Sequence, residues 1–123
     1  SMAGGAPMEG KMIAFSEYRD GLARGYGFDR DTENAIRERA GALSEDELKK
    51  RCLALGGRLV ASNADLCAEF KFMPNYPVWL KIWFADDEFP ASGKIFVDAS
   101  AEKYLSIEDA VTVGRAILDS LIG

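Results

Sequence analysis

Histidine is missing from this chain of 123 residues. That absence alone removes Ser-His-Asp and Cys-His nucleophilic catalysis, the usual zinc ligands and axial haem ligation by histidine. Any chemistry would have to run on carboxylates, lysine, tyrosine or cysteine. Cysteine is scarce too: Cys52 and Cys67 stand fifteen positions apart and form no CxxC pair, so neither a zinc knuckle nor a thioredoxin-like redox motif is encoded. A reducing cytoplasm is the simplest compartment for such a chain. Cys52 shares the apolar side of an expected helix with Leu48 and Leu55, where it reads as a buried, inert thiol. Long hydrophobic runs are also missing. Stretches such as VWL and VTVGRAIL are interrupted by charge or glycine, well short of the roughly 20 residues of a membrane span, so no transmembrane helix is expected.

The opening SMAGGAPMEG lacks the cationic and apolar segments of a secretory signal. Ser1 before Met2 reads as a cleavage scar, and residues 1–10 are expected to be a flexible tail ahead of a single domain over 11–123. A basic stripe is absent as well. Net charge is −5, from 15 basic and 20 acidic residues. The halves differ: ten of each sign up to residue 60, then five basic and ten acidic. Phosphate backbones would repel such a surface, so nucleic-acid binding is not expected.

What is present is apolar material for one core, 48% of the residues. Phe15, Tyr18 and Leu22 recur at helical spacing, which predicts a short helix over about 17–24, ended by GYGF. DRDTENAIRERAG has acids first and arginines last, the order the helix dipole favours, and predicts a second helix over about 31–40. SEDELKKRCLALGG begins with the capping pair Ser44 and Glu47 and stops at Gly56 and Gly57. Beyond Gly57 the period changes from 3.6 to 2. RLVAS, DLCAEFKF, YPVWLKIWF and KIFVD read as four strands joined by short links, an antiparallel meander. Leu66, Ala68, Phe70 and Phe72 point to one side of theirs. The last segment opens at Ser106 with Asp109 three residues on, a second capping pair, and repeats Ile107, Ala110, Val111, Gly114, Ile117, Leu118 and Leu121 in helical register. It is expected to lie across Phe70, Phe72, Leu80 and Ile82. The fold class is therefore α+β: an antiparallel sheet of about four strands, with N-terminal helices and a C-terminal amphipathic helix packed on it.

Two constellations could carry function. In WFADDEFPASG, residues 83–93, Asp86, Asp87 and Glu88 precede Phe89, Pro90 and Gly93 in the connection between the third and fourth strands. With Asp98 they could hold a hard divalent cation, the one cofactor these residues suggest, although the alternating D-x-D-x-D-G pattern of a calcium loop is absent. A carboxylate pair for acid-base work is a second use. The structural alternative has one acid accepting backbone N–H bonds while Phe89 turns inward as an anchor. The other constellation is the second sheet face, where Cys67, Trp79, Trp83 and Phe96 lie among Glu69, Lys71, Lys81 and Lys94. The first two helices would be its ordinary cover. Left open, it would take a protein partner, a second copy of the chain or a planar ligand.

The order LALGG at 53–57, followed by FKFMPNYPVWLKIWFADDEFPASGKIFVDASAEKYLSIEDAV over 70–111, resembles domain-of-unknown-function family 3786, an uncharacterised family of anaerobic bacteria and archaea. The similarity is strongest over about 53–118, and AFSEYRDG near 14–21 looks like the start of the family's C-terminal half. The resemblance implies a setting in anaerobic metabolism and transfers no catalytic residue. Trp83, Asp87, Glu88, Phe89, Pro90, Asp98, Tyr104, Leu105, Glu108 and Asp109 match the family pattern, with Asp98, Tyr104 and Glu108 expected to form a polar cluster that ties the acidic loop to the last helix. No four-cysteine cluster is present, so iron-sulphur binding does not carry over. The function expected is a small binding or accessory module that engages a protein partner or itself through the aromatic sheet face. The alternative is a small metal-dependent or acid-base enzyme on Asp86, Asp87 and Glu88.

Overall fold

The computed structural model describes residues 7–19 and 21–123. Strand β1 (Met12–Ala14) and a 3-10 turn (Phe15–Glu17) lead into helices α1 (Leu22–Arg39) and α2 (Glu45–Ala54) and strand β2 (Arg58–Leu59). Strands β3 (Leu66–Met73), β4 (Tyr76–Trp83) and β5 (Ser92–Asp98) follow, then a 3-10 segment (Ala99–Lys103) and helix α3 (Ile107–Ile122). All strand pairs are antiparallel, in the order β1-β5-β4-β3-β2. The expected meander is β2 to β5. A fifth strand, β1, adds to the outer edge of β5, pairing Ile13 with Val97; three residues are too few to display a period.

Alternation places Leu66, Ala68, Phe70, Val78, Leu80, Ile82, Ile95 and Val97 on one face of the sheet, all buried. The helices close over that face. Ile36 of α1 sits on Gly93, and Phe28 packs against Gly114 where α1 meets α3. From α2, Leu48 and Cys52 enter the same core. Burial of each large apolar side chain contributes about 1.5–3 kcal/mol. The capping pairs form as expected: Ser44 Oγ accepts from Glu47 N and Ser106 Oγ from Asp109 N, each at 3.1 Å. Among the described residues no helix is long and apolar enough to cross a membrane.

Three expectations are corrected. In place of a helix over 17–24, a break at GYGF and a second helix over 31–40, one helix of 18 residues runs through both glycines. Gly25 does not break α1; a Cβ there would meet the Phe15 carbonyl group, with its carbon 2.6 Å away. The glycine lets the helix lie against the chain that enters it. Phe72 does not join the covered face. The β3–β4 register shifts between Lys71 and Met73, and such a bulge ends the strict alternation, leaving Phe72 51% exposed. Finally, the end of the expected flexible tail is bound: the N–H groups of Glu9 and Gly10, with that of Lys11 just past it, donate to the Asp98 carboxylate at 2.8, 2.9 and 3.2 Å. Residues 1–6 of that segment lie outside the described residues.

Candidate interaction face

The opposite face of the sheet is built by the same alternation, one residue out of step. Strand register aligns Arg58, Glu69, Trp79 and Phe96 in one row and Cys67, Lys81 and Lys94 in the next, with Trp83 opposite Ser92 and Lys71 opposite Pro77. All three helices pack on the other side, so the ordinary alternative, cover by the first two helices, does not form. Trp79, Trp83 and Phe96 are only half-buried.

Polar contacts lace the first row. Arg58 Nη2 lies 2.9 Å from Glu69 Oε1, and Trp79 Nε1 donates to Glu69 Oε2 at 3.1 Å. Glu69 thereby spends both oxygens within the face and fixes the Trp79 ring. In the second row Lys81 Nζ donates to Asn63 Oδ1 at 2.8 Å and lies 5.1 Å from the Phe96 ring centroid, within cation–π range. Lys94 stands directly opposite Lys81, and among the described residues neither makes an ion pair. At the β5 edge, Glu33 of α1 joins Trp83, Ser92, Lys94 and Phe96 around a shallow hollow of about 190 Å³.

Of the four aromatic-face residues named from sequence, the structure brings Trp79, Trp83 and Phe96 to one surface and seals the fourth. Cys67 is 3% exposed, under the segment that leaves β2, where Val60 N donates to the Cys67 carbonyl. Burial pushes its thiol up, partly countered by a Ser62 hydrogen bond and the Lys81 charge. Cys52, also buried, is pushed up to about 11 by desolvation. Neither thiol is poised as a nucleophile.

The acidic residues do not assemble. Asp86 Oδ1 accepts from the N–H groups of Glu88 and Phe89, each at 2.8 Å, and these bonds lower its pKa. The expectation that one acid would tie the loop internally holds, but Phe89 does not turn inward: it is 68% exposed. Asp98 ends β5, six positions past Ser92, which at roughly 3.3 Å per residue puts it about 20 Å from the loop. Among the described residues no group of three or more His, Cys, Asp or Glu side chains is placed to hold a metal ion.

Asp98, Tyr104 and Glu108 share no hydrogen bond, although burial, with the Asp98 charge adding to it, pushes the Tyr104 hydroxyl up. Asp98 accepts from the N-terminal segment and from Ser100 N and Oγ. Burial pushes its carboxyl up, but hydrogen bonds from Ser100, Glu9 and Gly10 outweigh it and hold the group below its ordinary value. Tyr104 instead donates to the Asn75 carbonyl at 3.2 Å, in the β3–β4 turn. Glu108 is exposed beside a hollow of about 300 Å³ lined by Tyr18, Arg19 and Glu102. That volume is at the lower limit for ligand pockets, and Arg19 N already donates to Glu102 Oε1 at 2.8 Å. The Tyr18 hydroxyl is fully buried and so does not open into it.

Sequence reasoning missed Arg58 and the exposed Phe89. Strand register would have aligned the first with Glu69; the second is flanked by three acids and a proline, the composition of a surface turn.

Searches of curated proteins and of solved structures each returned no match. The family comparison matches residues 1–120, nearly the whole chain. It does not confine the likeness to a C-terminal half, and it says nothing of an anaerobic setting. The chain belongs to the family described as domain of unknown function DUF3786.

Proposed function

We propose that this chain is a protein-interaction module whose docking surface is the helix-free face of the sheet. A single observation carries the proposal: α1, α2 and α3 all gather on one side, leaving Trp79, Trp83 and Phe96 half-buried on the other among Lys71, Lys81 and Lys94. Half-buried aromatic rings set among cationic side chains are the composition of a docking surface. Glu69 holds Trp79 in place before any partner arrives, which reduces the ordering cost on binding. Of the acids named for an acid-base or metal site, Asp86 ties its own loop and Asp98 ties the N-terminal segment, so that reading gains no geometric support from them.

Site-specific photo-cross-linking in the producing cell tests this. A cross-linking residue at Trp83 or Phe96 should capture one discrete protein species, this chain or another, whereas the same residue at Glu45 on α2 should not. Equal capture at both positions, or none at either, would count against docking on this face.

A further inference from the structure

The charge of the docking face just proposed, on which this inference rests, selects its occupant. Lys81 and Lys94 are direct cross-strand neighbours, and like charges so placed are destabilising. Among the described residues no carboxylate pairs with either, although Glu69 next to them is committed to Arg58 and Trp79. In a chain of net charge −5, the helix-free face thus concentrates Lys71, Lys81 and Lys94, three of the five basic residues after position 60. An acidic segment with an aromatic side chain is the complement: carboxylates for the lysine pair, a ring for the Trp83–Phe96 hollow.

The chain itself carries such a segment. Asp87, Glu88 and Phe89 are exposed on the loop between β4 and β5, held in a tight turn by Asp86. Phe89 is 68% exposed, more than Phe72 and far more than Phe28 or Phe70. The loop leaves β4 after Trp83 and enters β5 at Ser92, so it stands at the rim of the docking face. We infer that the occupant is a second copy of this chain, each copy laying its Asp87–Glu88–Phe89 loop on the lysine–aromatic face of the other. Two-fold pairing satisfies both contacts at once and closes the assembly at a dimer.

Charge reversal tests the inference on the purified full chain, with mass measured by light scattering over a concentration series. Wild type should double in mass, at lower concentration in low salt than in high, and Phe89→Ala should weaken the dimer by about tenfold or more. A face-reversed variant, Lys81→Glu with Lys94→Glu, and a loop-reversed variant, Asp87→Lys with Glu88→Lys, should each be monomeric alone. Mixed together they should form a heterodimer, since both contacts again join opposite charges; a variant that had merely misfolded could not be restored this way. A wild-type monomer up to about millimolar concentration would overturn the inference, as would a dimer indifferent to both reversals. If cross-linking from Trp83 nonetheless captures a different protein, the docking face stands and only its occupant is changed.

Discussion

Asp98 is a residue whose type is legible and whose role is not. A carboxylate after a β-strand reads equally well as a ligand or a cap. What decides between them is that its donors arrive from Glu9, Gly10 and Lys11, nearly ninety positions earlier in the chain. No spacing rule reaches that far. Because the carboxyl is held below 3.8 in the fold, its contribution is fully present above that value and is lost as pH falls through the lower folded-state pKa. Asp98→Asn should therefore cost about 1–3 kcal/mol at pH 7, the range for hydrogen bonds to a charged group and for donors left unmatched. Urea unfolding should also show the gap between variant and wild type narrowing at pH 3. A gap that stays constant would mean the charge is not what the segment binds. The cysteines give a second residue-scale expectation. Both thiols are free and buried, and both are pushed up by desolvation, so a thiol reagent at pH 8 should label neither in the native protein within minutes and both in denaturant. Prompt labelling of Cys67 would mean that the segment over it opens readily.

At the scale of elements, the readable parts are those whose partners are close in sequence. Both capping pairs, Ser44 with Glu47 and Ser106 with Asp109, and the alternation of β4 follow from neighbours a few residues apart. The misread parts depend on tertiary contact: the bulge that turns out Phe72, the short β1, and above all α1. GYGF looks like a break because glycine is about 1 kcal/mol worse than alanine in a helix. The structure separates its two glycines. Gly25 abuts the Phe15 carbonyl, whereas a Cβ on Gly27 would meet nothing nearer than an Arg30 nitrogen at 3.9 Å. Gly25→Ala should destabilise the protein by about 1–3 kcal/mol through overpacking. Gly27→Ala should stabilise it by about 0.5–1 kcal/mol through propensity alone. Opposite shifts of the urea midpoint are the expected outcome; shifts of the same sign would show that close approach at Gly25 is not the reason the glycine is there.

For the whole molecule, the sheet is a two-sided object used asymmetrically. One face is covered by three helices, and the other combines tryptophans with two lysines that repel one another. The sequence displays both faces as alternating sets. It does not say which side the N-terminal helices choose, since that follows from the crossing of α1 over Gly93 and Gly114, visible only in three dimensions. A lysine pair that lowers the stability of the isolated chain makes a single substitution diagnostic of the proposed docking. Lys94→Gln removes the cross-strand repulsion with Lys81 without placing a new carboxylate beside Glu33, so the isolated chain should gain a few tenths of a kcal/mol. The same change removes half of the positive pair proposed to receive the acidic loop, so the proposed dimer should form only at higher concentration. Stability and association would then move in opposite directions, the signature of a surface shaped for docking. If the variant instead loses stability, Lys94 supports the fold rather than a partner, and the lysine pair no longer speaks for an acidic occupant.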